Sequence, residues 1–476
     1  MLKIPRFLSC LIVGFLAGLS FMSITNAQTG KRTANVITLR PGSQLFIDDF
    51  LIEQRSGVTR TVHHPRKTGI PIVTGRSGGD SCFQPYLSVI QDSLSELFRM
   101  WYGVPQSASQ THIAYLESHD GRTWRKPHRR LEDPFPMNFG ISVLDQGREA
   151  VPALQRFVFA SYYDDGMMIA TSPDGLAWKA LSGAPVLKHN HDINSIHWDP
   201  FRHRYIAIVS VMMEGREWKG QRRIPHQSVS TDLYNWEQPW PILFPKRGVP
   251  IEEGETEFYS MSGIVCRGGL LIGLVKVLRD DLNATPGATA KAMGDSTRKA
   301  AGIGYTVLAW SRDGRTWQRD HDPFIPNNAL AGSWDHAMAW GDAQLVVGDS
   351  TYVYYGGYAR GHKVARFEER QIGLAVMPRD RYVSLDADHN EGRIVTKPLI
   401  ASGSHLSINA RIYGSLTIRL LDVDGLPLSD FGAISVSGDS IRHAIKWTRP
   451  LSALGKQPIR LEILFTNAQL FGFEFQ

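Results

Sequence analysis

The sequence is poor in cysteine. Three cysteines occur in 476 residues, and Cys10 lies in the N-terminal apolar segment, so Cys82 and Cys266 remain for the rest of the chain. Two cysteines cannot build the disulfide framework that holds small extracellular domains together. One bridge between them and two buried thiols both stay open.

Long apolar runs are absent after residue 27. Residues 1–27 combine Lys3 and Arg6 with an apolar run at 7–21 and end on Ala27, which is the layout of a cleaved secretory signal. An uncleaved anchor is the alternative, but the run is shorter than the ~20 residues that a spanning helix needs. We therefore expect a signal peptide at 1–27, a secreted or periplasmic mature chain, and no membrane span after cleavage.

Several catalytic and binding signatures are also missing. The sequence has no phosphate-binding P-loop, no dinucleotide fingerprint, no nucleophile elbow and no recognised zinc spacing. The net charge of +6 favours anionic partners in general. Nucleic acid is not expected as a partner, because no basic helix or RNA-binding motif accompanies the charge.

A seven-residue turn motif is repeated along the chain. Ser311-Arg312-Asp313-Gly314-Arg315-Thr316-Trp317 recurs at 118–124 and 172–178, and at 230–236 without the glycine; the aspartates are 54, 58 and 81 residues apart. Asp can accept bonds from backbone N–H groups downstream, and Gly adopts the positive φ of a tight turn. The motif therefore predicts a turn between the two outer strands of a small sheet.

Short strands with this spacing are typical of propeller blades. We predict an all-β chain: a five-bladed β-propeller over residues 28–385, closed by an N-terminal strand from 36–39 or 44–52, and a small C-terminal β-sandwich over 386–476. The insert 279–302 lacks a strand pattern and is predicted to be a mobile surface loop over one face of the propeller. The tail is predicted to contain five short alternating strands, at 406–412, 415–422, 441–447, 459–466 and 470–475.

Polar residues precede the predicted innermost strands, which begin around the mouth of the propeller channel. Carboxylates crowded there have their pKa values pushed apart, as glycoside cleavage requires of its acid and base. Glu257 abuts Phe258 and Tyr259, an apolar setting that favours the protonated acid. The catalytic candidates are Asp49, Asp80, Asp192, Glu257 and Asp335, and the substrate-binding candidates are Trp334, His336, Tyr259, His191, Arg222 and Arg366.

Each candidate also has an ordinary structural interpretation. Asp192 suits an Asx turn, Asp49 and Asp80 lie in turn-like composition, and Glu252, Glu253 and Glu255 form a charged run typical of a solvated face. No metal site and no cofactor are predicted from the histidine spacing, and a calcium ion in the channel stays open as an alternative.

The chain resembles the five-bladed propeller glycosidases around glycoside hydrolase families 32 and 43, and in particular exported propeller proteins of planctomycete-type bacteria. The resemblance is carried by Leu45-Phe46-Ile47-Asp48-Asp49, Phe98-Arg99-Met100-Trp101-Tyr102 and Ser333-Trp334-Asp335. It implies Asp80 or Asp49 as base or nucleophile, Asp192 as the residue that tunes pKa, and Glu257 as general acid. The Asn-Asp-Pro-Asn-Gly signature of family 32 is absent.

The residues and the resemblance together predict an exported glycoside hydrolase that cleaves a poly- or oligosaccharide with a carboxylate pair. Basic residues are predicted near the face of the propeller that carries the mouth, so we expect the substrate to be an anionic glycan. The alternative is a non-catalytic carbohydrate-binding or surface-assembly propeller. Phosphorolysis in place of hydrolysis is a third hypothesis.

Overall fold

The computed structural model describes residues 36–74, 86–107, 110–125, 130–147, 156–216, 218, 220–245, 257–294, 296, 300–362, 364 and 370–476. Residues from Val36 onward form one compact unit. Strands dominate it, which confirms the all-β prediction. In the described ranges, helix is limited to the 3-10 segments Asp49–Leu51, Lys291–Met293 and Leu451–Leu454, and none of it has the length and apolar character needed to cross a bilayer.

The N-terminal segment contributes five short strands that belong to different sheets. They are β1 (Ile37–Thr38), β2 (Gln44–Leu45), β3 (Ile52–Ser56), β4 (Thr59–Val62) and β5 (Arg66–Lys67). The first four pair with strands close to the C-terminus. Only β5 joins the repeat region, where it is the outer strand of the last group.

Five groups of strands follow along the chain, each antiparallel within itself; the fourth and fifth belong to one eight-stranded sheet, joined by a short parallel contact between Gly304 and Met338. The first group contains β6 (Leu87–Gln91), β7 (Phe98–Ser107) and β8 (Gln110–Ser118), and the second contains β9 (Phe139–Asp145), β10 (Phe157–Tyr163), β11 (Gly166–Ser172), β12 (Lys179–Ala180) and β13 (Leu187–Lys188). The third group contains β14 (Asn194–Asp199), β15 (Arg204–Glu214), β16 (Gln221–Ser230) and β17 (Trp240–Pro241), and the fourth contains β18 (Glu257–Arg267), β19 (Leu270–Arg279), β20 (Ile303–Ser311) and β21 (Gln318–Arg319). The fifth group contains β22 (Met338–Val347), β23 (Ser350–Tyr358) and β24 (Gln371–Pro378), and β5 pairs with β24 at its outer edge.

Apolar side chains pack between each group and the next. Separate cores join the first group to the second, the second to the third, the third to the fourth and the fourth to the fifth. A further core packs the fifth group against the first. It contains Leu87 and Met100 of the first group and Tyr354 and Leu374 of the fifth. The groups therefore surround a common axis.

The repeated motif forms the same turn each time. In the first copy, Ser118 Oγ accepts from the backbone N–H of Gly121 at 2.9 Å, and Asp120 Oδ1 accepts from the N–H groups of Arg122 and Thr123 at 2.8 and 2.7 Å. Gly121 has φ +69°, as the motif predicts. Desolvation would raise the pKa of Asp120, but the bonds from Thr123 and Arg122 outweigh it and lower this pKa to about 2.

These turns also attach neighbouring groups to one another. Trp101 Nε1 of the first group donates to the carbonyl of Gly175 in the second turn at 2.7 Å. Gln227 Nε2 of the third group donates to the carbonyl of Gly314 in the fourth turn at 2.7 Å. Tyr354 of the fifth group donates to Gly121 in the first turn, which again connects the end of the repeat region to its beginning. The motif is thus a contact between sheets as well as a turn.

The C-terminal strands form a separate sheet with its own core. They are β25 (Val383–Ala387), β26 (Gly392–Thr396), β27 (Leu399–Ile400), β28 (Leu406–Leu421), β29 (Ala433–Ile445) and β30 (Arg460–Phe475). β30 pairs with β2, β25, β26 and β28, and β3 and β4 extend the same sheet, while β1 pairs with β27. The predicted pairs of short strands at 406–422 and 459–475 are single long strands, because bulges absorb the irregular residues. The boundary at residue 386 stays a prediction.

Candidate functional site

A cavity of about 270 Å³ lies on the common axis. Its wall comes from the first strand of every group: residues 86–90, 141–145, 193–198, 260, 262–265 and 342–345. The strands β6, β9, β14, β18 and β22 therefore all face one space. We call the end of the cavity at which these strands begin the mouth.

One small polar side chain on each first strand bonds to the next strand around the cavity. We call these five residues the belt: Ser88 Oγ accepts from Val143 N (2.8 Å), Ser142 Oγ accepts from Ile196 N (2.9 Å), Ser195 Oγ donates to Met261 O (2.7 Å), Ser262 Oγ donates to Asp342 Oδ1 (2.7 Å), and Asp342 Oδ2 accepts from Leu87 N (2.7 Å). The belt closes on itself and fixes the relative height of the strands.

The belt contains a buried charge. Lys276 Nζ on β19 lies 2.6 Å from Asp342 Oδ1, and both side chains are almost fully buried. Desolvation lowers the pKa of Lys276 and raises that of Asp342, and their mutual contact opposes both shifts. Lys276 Nζ also lies 4.7 Å from the ring centroid of Tyr86, at the mouth. The ion pair thus links the wall of the cavity to the residues at its opening.

Asp192 is the described carboxylate candidate that reaches the mouth. Its Oδ1 lies 2.9 Å from Arg223 Nη2 on β16 and 3.1 Å from His191 Nε2. The guanidinium of Arg223 stacks on the ring of Tyr259 at 3.9 Å. A carboxylate committed to an arginine and a histidine suits a charge-positioning role better than proton donation.

An aromatic wall surrounds this ion pair. Tyr259 lies 4.6 Å from both Trp340 and His362 between ring centroids, and Tyr358 meets Trp340 edge-on at 6.0 Å. Tyr86 belongs to the same buried cluster. Desolvation, followed by the neighbouring Tyr259 and Asp192, raises the pKa of Tyr86 well above its usual value. The phenol therefore stays neutral over the physiological pH range.

The structure brings several of the predicted residues together. Asp192, His191 and Tyr259 form the cluster at the mouth, Glu257 is the first residue of the adjacent strand β18, and Arg222 is buried beside Arg223 on β16. The insert 279–302 also reaches this region, because Ala284 packs on the aromatic cluster. Asp80 and Arg366 lie outside the described residues.

Three predicted residues form a second, separate cluster. Asp335 Oδ2 lies 2.7 Å from Lys67 Nζ on β5 and accepts a bond from Tyr355 at 3.0 Å. Trp334 stacks on Tyr355, and His336 bonds to Thr285 and to the carbonyl of Asn328. These contacts attach the N-terminal strand to the fifth group, so Asp335 has a structural task there.

Asp49 lies apart from both clusters. It begins a 3-10 turn before β3, a strand that pairs with β26 of the C-terminal sheet, and 60% of its side chain is exposed. In the part of the chain that the structure describes, it forms an ion pair with Arg55. The catalytic roles of these candidates stay predictions.

The sequence interpretation gave Asn194 no role and missed Ser260 and the belt. A signal was present, since Ser88, Ser142 and Ser195 each stand next to apolar residues near the start of a predicted inner strand. Among the described residues there is no group of three or more His, Cys, Asp or Glu side chains arranged to hold a metal ion.

No protein-family model and no curated protein matches the sequence. Solved structures of similar shape include glycoside hydrolases. One is reported with the GH130 mannoside phosphorylases and hydrolases that target β-1,2 mannosidic linkages in Candida mannan: 12% identity, 72% of this chain and 98% of that chain, TM-score 0.44. Another is the exo-β-1,3-galactanase of Phanerochaete chrysosporium, with 11% sequence identity over 87% of this chain and 99% of that chain and a TM-score of 0.40. A third is an N-acetylgalactosamine deacetylase from F. plautii, with 14% sequence identity over 68% of this chain and 96% of that chain and a TM-score of 0.41. These likenesses are weak, and the functional proposal rests on the side chains.

Proposed function

We propose that the chain is an exported glycoside hydrolase whose active site is the mouth of the axial cavity. The fold we propose for it is a five-bladed β-propeller followed by a small β-sandwich. The observation that carries the proposal is the Asp192–Arg223 ion pair, held against the aromatic wall at the point where five strands begin. Sugar-binding sites combine polar anchors with aromatic faces in this way.

Glu257 is the proposed general acid, and Asp192 the residue that tunes it. In such a reaction the acid donates a proton to the glycosidic oxygen as the bond from that oxygen to the anomeric carbon breaks. A second carboxylate either takes a proton from the attacking water or attacks the anomeric carbon itself. Asp80 is the proposed second carboxylate. The backbone positions support this, because Glu257 begins β18 and Asp192 lies two residues before the adjacent strand β14.

An anionic glycan is the proposed substrate class. Three buried arginines, Arg222, Arg223 and Arg370, lie on or next to strands that bound the mouth. Arginine pairs well with carboxylate and sulfate groups. Arg223 is already bound to Asp192, so the substrate contacts are assigned to the region around it.

The test is hydrolysis of a glycan panel by the mature protein. Polygalacturonate and a sulfated galactan are compared with arabinan, fructan and mannan, using wild type, Glu257→Gln, Asp192→Asn and Asp80→Asn. The exposed Asp430, which pairs with Arg449 at the surface, supplies the matched control Asp430→Asn. We expect turnover to fall at least 100-fold in the first variant and the control to behave as wild type. Better activity on the neutral glycans removes the anionic clause.

Glycan binding without cleavage is the second candidate function. It is favoured by the same ion pair, because Asp192 is occupied by Arg223 and His191. This candidate predicts that Glu257→Gln and Asp192→Asn leave glycan affinity in place and that no glycan in the panel is cleaved by wild type. The export clause is checked separately, by N-terminal sequencing of the mature protein, which is expected to begin at Gln28.

A further inference from the structure

Asn194 is a buried amide that no part of the described protein binds. It begins β14, is 3% exposed and lines the axial cavity. Neither its Oδ1 nor its Nδ2 has a hydrogen-bond partner among the described residues, and the same holds for Ser260 Oγ on the wall of this cavity. Buried amides and hydroxyls in folded proteins are nearly always satisfied. Their partner therefore lies outside the described residues, and a ligand in the cavity or ordered water can fill that role.

The backbone next to Asn194 is strained in a way that separates two side chains. Ile193 has φ +78° and is 2% exposed, although a β-branched residue strongly avoids the left-handed region. The turn sends the Asp192 carboxylate to Arg223 and leaves Asn194 on the cavity wall. Strain of this kind persists where the surroundings enforce it, often at binding sites.

We propose that Asn194 and Ser260 bind hydroxyl groups of the terminal sugar of the glycan and so determine which sugar is accepted. This deepens the proposed function and rests on it for the identity of the ligand as a glycan. An amide presents a donor and an acceptor side by side, and a hydroxyl group can act as either, which matches two neighbouring sugar hydroxyls. Both groups are uncharged, so they contact hydroxyl groups of the sugar, and acidic groups of the glycan lie outside the cavity, towards the arginines.

The shape of the cavity indicates that it binds the end of a glycan chain. Five strands and the belt surround it, so a polymer cannot lie across it as it could in an open groove. The sugar that reaches Asn194 is therefore a terminal residue. A cavity filled only by ordered water is the competing interpretation, and it gives Asn194 no role in affinity.

The experiment measures sugar binding with the full mature chain. D-mannose, D-galactose, L-arabinose, D-fructose and D-glucuronate are tested at equal concentration by ligand-observed NMR and calorimetry. The variants are Asn194→Ala and Ser260→Ala, with the exposed Asn390→Ala as the control. We expect at least one neutral sugar to bind wild type, and Asn194→Ala to weaken that binding by about tenfold or more, the value of one to two hydrogen bonds. Asn194→Ala should melt no lower than wild type, because it removes an amide that has no partner among the described residues.

Two results overturn the proposal: Asn194→Ala binds every sugar as well as wild type does, or none of the neutral sugars binds wild type. Glycan hydrolysis with unchanged KM and kcat in Asn194→Ala overturns the role of Asn194 and leaves the hydrolase proposal standing. Binding that depends on Asn194, in a protein that cleaves nothing, supports the binding site and removes the hydrolase.

Discussion

Asp342 Oδ2 accepts a hydrogen bond of 2.7 Å from the backbone N–H of Leu87, which joins the fifth inner strand to the first. The residues are 255 positions apart, and the other oxygen of Asp342 binds Lys276 and Ser262. One carboxylate therefore links three of the five groups. Because the proposed site lies where these strands begin, its geometry depends on this contact.

Removing one partner of the buried ion pair should destabilise the protein strongly. Lys276→Met leaves Asp342 as an uncompensated buried charge, and we expect a loss of about 3–5 kcal/mol in the free energy of unfolding. Lys276→Met combined with Asp342→Asn should recover much of that loss, because no charge remains buried. Urea unfolding of the single and double variants measures this coupling. Additive losses would show that the two residues act independently.

The turn aspartates should stabilise the fold in a pH-dependent manner. Desolvation raises the pKa of Asp313, but hydrogen bonds from the backbone N–H groups of Arg315 and Thr316 outweigh it and lower this pKa to about 2. The folded pKa lies below the unfolded one, so the stabilisation is present above pH 4 and is lost as the pH falls towards 2. After allowance for solvent screening we expect Asp313→Asn to cost about 1 kcal/mol at pH 7 and almost nothing near pH 2. A constant cost across this range would contradict the assignment.

A partly buried histidine on the cavity wall should make the protein sensitive to mild acid. Desolvation lowers the pKa of His197, on the wall of the cavity, to about 3. Between pH 6.5 and pH 4 this histidine binds a proton in the unfolded state but stays neutral in the folded state. The free energy of unfolding therefore decreases as the pH is lowered through this window. His197→Gln should flatten that part of the profile, whereas the exposed His389→Gln should leave it unchanged. Identical slopes for His197→Gln and wild type would refute the prediction.

Arg223 should act through Asp192 and not only through packing. Arg223→Met removes the cation that holds Asp192 and keeps most of the apolar contact with Tyr259, and we expect kcat to fall at least tenfold with a shifted pH profile. Arg223→Lys keeps the charge but not the planar fork and should recover only part of the activity. A change in KM alone would indicate that the arginine binds substrate without positioning Asp192.

Local patterns in the sequence predicted local structure well. The turn motif was recognisable because its hydrogen bonds lie within seven residues, and the sequence placed Asp192 and Tyr259 near the starts of inner strands. Pairing across the chain was not predictable in the same way. The strands at 36–52 bind the C-terminal sheet, and Asp335 binds Lys67, because these choices depend on which distant surface is exposed. Asn194 was given no role because an amide without a hydrogen-bond partner is recognisable only in three dimensions.

The most direct measurement is a crystal structure of Glu257→Gln with an oligosaccharide that wild type cleaves or binds. We expect the terminal sugar in the axial cavity, within hydrogen-bond distance of Asn194 and Ser260, with the next linkage beside residue 257 and Asp192. Sugar bound at any other surface, with the cavity holding only water, would contradict it.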